Sequence, residues 1–158
     1  MLHALLKIVH LLSFVLWIGG MFFTLYCLRP SLGVLDGPSR VRLMHGVLER
    51  FFRFVVGAAA LLLVTGVWMV GRAARAGAQA GVRFNMPLDW YVMLVLGVLM
   101  VLIFIYIRMA LFTRLARAAA AQAWQEGAQV LGQIRNWVLV NLVLGALIIV
   151  ATQLGSMS

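Results

Sequence analysis

The sequence predicts an all-α protein: an integral membrane four-helix bundle, N-out and C-out, with helical extensions on the cytoplasmic side. Three observations carry that reading. Of the 158 residues, 65% are hydrophobic and 11% charged, which is too apolar for a soluble domain. Four runs, at about residues 4–28, 51–71, 88–112 and 137–154, approach the length that crosses a bilayer. In hydrocarbon each must satisfy its own backbone, so helices are expected. The basic residues gather between the runs, which makes residues 1–158 a single multi-pass transmembrane domain.

The first run is too long for a signal-peptide core and has no A-x-A-like cleavage site; Arg29-Pro30 follows it as an expected stop. The first loop and its edges carry Arg29, Arg40, Arg42, Arg50 and Arg53. "PSRVRLMHGVLERFFRF" offers Ser39 as a cap and predicts an amphipathic helix leading into the second run. The second loop carries Arg72, Arg75 and Arg83; "GRAARAGAQAGVRFNMP" is read as flexible and exposed. The third loop carries Arg114, Arg117 and Arg135, with Arg108 just inside the run before it. Its "TRLARAAAAQAWQEGAQVLGQIR" is strong helix-forming sequence and should extend the third helix as far as a turn near Gly127. Loops one and three are the more basic, so they are placed in the cytoplasm, at a bacterial-type inner membrane.

Thirteen Lys and Arg against four carboxylates give a formal charge of +9. With the arginines flanking apolar runs, the partner this charge implies is membrane lipid, not nucleic acid. Cys27 stands alone, so no intrachain disulfide forms. No G-x-S-x-G, H-E-x-x-H, C-x-x-C or phosphate-loop motif is present, which leans the reading away from an enzyme. Small residues such as Gly19, Gly20, Gly66, Gly97 and Gly145 favour close helix packing and make a homodimer plausible. Asn136 and Asn141 are expected to hydrogen-bond across helices.

The candidate site begins in "KIVHLLSFVLWIGG". His3, His10 and Trp17 recur every seven residues, and Lys7 falls between the histidines on the same side of the helix. Ionisable residues inside a membrane commonly mark a functional site. Lys7 has a plain alternative, since its long stem can snorkel to the headgroups. His10 is deeper and is read as a ligand or proton carrier. Met86, Met93 and Met100 also recur every seven residues, and Met69 ends the second run at the same level. Thioethers with imidazole suit Cu(I), although methionine also fills gaps in apolar cores. His10, Met93, His3, Met86 and Met69 are therefore the candidate metal ligands. At the inner edge, His45 and Arg108 offer a basic pocket for a propionate or lipid phosphate, or ordinary loop charge. Three histidines are too few for two haems; one haem b on His10 and a methionine remains an alternative.

"LLKIVHLLSFVLWIGGMFF" and "VLERFFRFVVGAAALLLVTGVWMV" resemble the first two helices of the CopD-type (copper resistance D) membrane proteins, whose organisation the HemJ-type protoporphyrinogen oxidases share. The CopD resemblance implies copper handling at the cytoplasmic membrane. The oxidase resemblance implies bound haem, with His10 matching an important histidine. It also implies a lysine early in helix three, where Val92-Met93-Leu94 stands here, and an Asn-Glu pair, which reads Asn136-Trp137. Both departures argue against oxidase activity. The expectation is a copper-binding or copper-transporting protein; the alternatives are a haem-b redox protein and a non-catalytic membrane subunit or assembly factor.

Overall fold

The computed structural model describes residues 1–81, 83 and 85–155. Four long apolar helical stretches run up and down, at Leu2–Val34, Gly37–Gln79, Leu88–Ala120 and Trp124–Gly155, each long enough to cross a membrane. Within them, α1 is Leu2–Phe23, α2 Gly37–Gln79, α3 Leu88–Tyr106, α4 Phe112–Ala120 and α5 Trp124–Gly155. Both described chain ends lie at one end of the bundle, the termini end; the turns at residues 35–36 and 121–123 lie at the other.

Four sequence expectations are corrected here. Arg29-Pro30 does not stop the first helix, which continues to Val34 through a one-turn helix at Arg29–Ser31 and a tight turn at Leu32–Val34. Proline lacks a donor and its ring presses on the carbonyl four residues back. Just ahead of it, residues Thr24–Leu28 form a wider π-type turn, which absorbs that strain within a continuous helix. The cap of α2 is Asp36, not Ser39: the Asp36 side chain accepts from Ser39 N at 3.2 Å, with Pro38 in the first turn. Hydrogen bonds from the Ser39 side chain and backbone hold the Asp36 carboxyl below the usual carboxylate range. The cap is therefore fully formed above the ordinary carboxylate range and is lost as pH falls through the lowered value. The second loop begins late, because α2 runs on through the Ala- and Arg-rich segment to Gln79; chain reversal waits for Gly81, at φ +70°. Val82 and Phe84 of that loop lie outside the described residues.

The last correction concerns the turn expected near Gly127. The chain turns at Ala121–Ala123, with Gln122 in the left-handed region at φ 55°. Ala123 N bonds to Ala118 O at 2.9 Å and Gln122 N to Ala119 O at 3.3 Å, the paired bonds of a Schellman ending. Gly127 serves packing instead: a Cβ there would stand 2.9 Å from Val41 Cγ1, so α5 and α2 meet closely at that point.

Packing is concentrated toward the turn end. On α2, Val41, Met44, Leu48, Phe52 and Val55 recur at three- and four-residue spacing and are all buried. Phe52 contacts Phe104 edge-on at 5.6 Å and Phe112 at 5.3 Å, and Phe104 meets Trp17 at 5.8 Å. One aromatic series therefore ties α1, α2, α3 and α4 together. Gly20 on α1 lies against the Phe51 ring, and Gly145 on α5 against Ile18. Asn141, 1% exposed, donates from Nδ2 to the Met100 carbonyl at 3.2 Å, the cross-helix bond expected for an amide in a span.

Toward the termini end the buried faces give out. The first buried residue of α1 is Ser13 and the last of α2 is Thr65; α3 has none before Met100 and α5 none after Ile148. The bundle is closed at one end and open at the other.

Phe52→Ala is expected to destabilise the bundle by about 3–5 kcal/mol, because it opens a cavity between α2, α3 and α4. Thermal denaturation in detergent checks this; the exposed Phe54→Ala, on the outer face of α2, should leave the midpoint nearly unchanged.

Candidate functional site

His10 sits where the packed part of the bundle ends. Its half-buried ring turns toward α2, with Nδ1 2.7 Å from Thr65 Oγ1. Thr65, 2% exposed, places the same oxygen 2.6 Å from the Leu61 carbonyl and 3.3 Å from that of Leu62. A hydroxyl has one proton to donate. Donated to the Leu61 carbonyl, it leaves only lone pairs facing His10. The imidazole must then supply the proton, so Nδ1–H donates to Thr65 and the neutral ring carries its free lone pair on Nε2. A histidine held in this way presents one nitrogen as a ligand or base, with its orientation fixed by the other.

The residue after Thr65 borders the ring: a Cβ at Gly66 would lie 3.7 Å from His10 Cε1, an ordinary van der Waals contact. Farther toward the termini end, the His3 ring stacks on Trp68 at 6.4 Å and 28°, and the Arg72 guanidinium lies 5.5 Å from the Trp68 ring. Lys7, between the two histidines in sequence, is exposed. His3 and His10 thus make their contacts with α2, while Trp17 reaches Phe104 on α3.

The methionines hold different positions around the open end. Met69 is half-buried on α2, one helical turn beyond Thr65. Met93 on α3 is partly buried and packs against the core; Met86 is half-buried in the segment that enters α3. Among the described residues no three His, Cys, Asp or Glu side chains converge. At the turn end, His45 stacks on Phe112 at 5.1 Å and 4°, and Arg108 lies 5.0 Å from the same ring. Both residues therefore meet at an aromatic face.

Thr65 was not singled out from the sequence, and Gly66 was read there only as a packing residue. The signal was present: in "GAAALLLVTGVW" the threonine is the lone hydroxyl in an apolar run, directly beside a glycine. Thr65 also bonds its own helix, the usual role of a hydroxyl in a span, so only the meeting with His10 reveals its second one.

Among known families, a family model described as Copper resistance protein D matches residues 45–154, more than half of the chain. No curated protein and no solved structure matches. The matched region includes Thr65, Met69, Met86 and Met93, and begins after α1, so His3 and His10 precede it.

The hydrogen-bond direction has a spectroscopic consequence. In ¹⁵N spectra of the neutral His10 ring, the proton is expected on Nδ1. Thr65→Val should shift the population toward Nε2–H and destabilise the fold by about 1–3 kcal/mol, since the donor loses its acceptor. A neutral wild-type ring protonated on Nε2 would contradict the assignment.

Proposed function

The chain belongs to the CopD, copper resistance protein D, family, and from that premise we propose that it binds copper as cargo in the open half of the bundle, with His10 Nε2 as the central ligand. The observation that carries this reading is the Thr65 hydrogen bond, which commits Nδ1 and leaves Nε2 free. An oriented, neutral imidazole in partly apolar surroundings is a good ligand for Cu(I). The remaining donors toward the same end of the bundle that suit this ion are thioethers. Met93 is the first choice, with Met69 and Met86 and the His3 imidazole available around the same end. Soft neutral ligands add no charge to an apolar site, so a monovalent copper keeps only its single charge there.

Thr65 would act on copper through His10 without touching it. Lys7 is exposed, one turn toward the termini from His10. Buried residues cease beyond Ser13, Thr65 and Met100, and an ion would reach His10 from that end. With the termini outward at an inner membrane, as the more basic loops one and three suggest, that end would face the outer side.

Cu(I) competition with a chelating dye tests the site. His10→Ala and Met93→Ala are each expected to weaken binding by about tenfold or more, and Thr65→Val by about tenfold through the ligand it orients. Wild-type affinity in both His10→Ala and Met93→Ala would remove the proposal. A Soret band in the purified protein that disappears in His10→Ala would replace copper by haem. For the orientation, Gln79→Cys and Gln125→Cys are made in a Cys27→Ser background. An impermeant maleimide on intact cells should label the first and spare the second; the opposite pattern reverses the topology.

A further inference from the structure

A second concentration of polar groups lies at the turn end, where the end of the first helix meets α5. Arg29 and Arg135 line one groove with Leu25, Tyr26, Pro30 and Leu139, about 370 Å³ in volume. Arg29 is half-buried, and its Nη1 donates to the Leu131 carbonyl at 3.2 Å. That bond fixes the guanidinium against α5 and uses one of its five N–H donors. Arg135 is exposed on α5, and both it and Arg40 repel Arg29. Among the described residues no carboxylate pairs with Arg29 or Arg135.

Like charges held together without an acid are costly unless an anion joins them. Here the fold itself holds them together, since Arg29 is anchored to the helix that carries Arg135. The groove walls narrow the choice of anion. Tyr26 is 55% exposed and Leu139 38%, and with Leu25 they continue the groove along the apolar flank of two membrane-crossing helices. A small soluble anion would leave that apolar wall bare, whereas a lipid covers it.

We propose that this groove seats the phosphate headgroup of an anionic phospholipid. Arg29 and Arg135 donate to the phosphate oxygens, the Tyr26 hydroxyl supplies a further donor, and the acyl chains lie against Leu25 and Leu139. The fork of each guanidinium suits two phosphate oxygens at once, and basic pockets between helices at the cytoplasmic face are where such headgroups bind. The site is remote from His10 and stands whether or not copper binds there.

The test uses the full chain, purified in detergent and titrated separately with phosphatidylglycerol, phosphatidylcholine and inorganic phosphate. Native mass spectrometry counts adducts, and thermal shift measures stabilisation. Phosphatidylglycerol should bind and raise the unfolding temperature; the other two at equal concentration should do neither. Arg135→Gln, which removes an exposed side chain and should fold, is expected to weaken phosphatidylglycerol binding about tenfold. Arg29→Gln should do at least as much, and Arg114→Gln, an exposed charge at the same end, should change little. Equal binding of phosphatidylcholine, equal binding of inorganic phosphate, or an equal loss in Arg114→Gln would each overturn the proposal.

Discussion

The fold depends on the Phe52 ring. Inside a bilayer, two apolar helix faces gain little by meeting, because lipid tails solvate them as well as leucine does. What holds such helices is shape: close contact, small residues and a few directed polar bonds. Phe52 supplies the contact, edge-on to both Phe104 and Phe112, and so joins α2 to α3 and α4. Trp17 brings in α1 through Phe104. Beside it, Gly20 lets α1 close on Phe51, and Gly145 lets α5 close on Ile18. Outside the hydrocarbon the ordinary hydrophobic effect returns. There Val41, Met44 and Leu48 of α2 bury with Leu115 and Ala118 of α4 and Val130 and Leu131 of α5.

Packing of that kind leaves the bundle lopsided, and the lopsidedness positions the candidate site. A uniformly packed bundle would bury His10 among leucines, where an ionisable ring has no access and no partner. An open pair of helices would leave it loose in lipid. His10 instead lies one turn outside Ser13, the first buried residue of α1, and against Thr65, the last buried residue of α2. One ring nitrogen is tied to the ordered part of the protein and the other makes no hydrogen bond among the described residues. Rigidity and access, which oppose each other in most sites, are separated here onto the two nitrogens of one side chain.

Much of this architecture was legible in the sequence. Four apolar runs, the amphipathic lead into α2 and the helical extension after the third run are all composition and periodicity, and those signals survive without tertiary context. The boundaries were harder, because each is decided by a detail that periodicity does not carry. Pro30 suggested an end, but a π-type turn at Thr24–Leu28 accommodates it. Gly127 suggested a turn, but its missing side chain is used for contact with Val41, and Gln122 takes the left-handed position instead. For the site, the seven-residue spacing grouped His3, His10 and Trp17 with Lys7 between them; in the structure His3 and His10 contact α2, Trp17 contacts α3, and Lys7 is exposed. Thr65 escaped because a partner on another helix leaves no trace in a helix's own period.

The direction of one proton decides how far the site can be read. Were the Thr65 hydroxyl free to rotate toward His10, either tautomer would serve and Nε2 would carry no special meaning. The Leu61 carbonyl, 2.6 Å away on the preceding turn, can only accept, so both short contacts are hydrogen bonds only when the hydroxyl donates to it and His10 Nδ1–H donates to the hydroxyl. The helix backbone therefore sets the hydroxyl, the hydroxyl sets the imidazole, and the neutral ring keeps its lone pair on Nε2. Residues 45–154, which define the family match, contain the first two members of that series and not the third. The helix that carries His10 adds the imidazole, while the matched region supplies the hydroxyl that orients it.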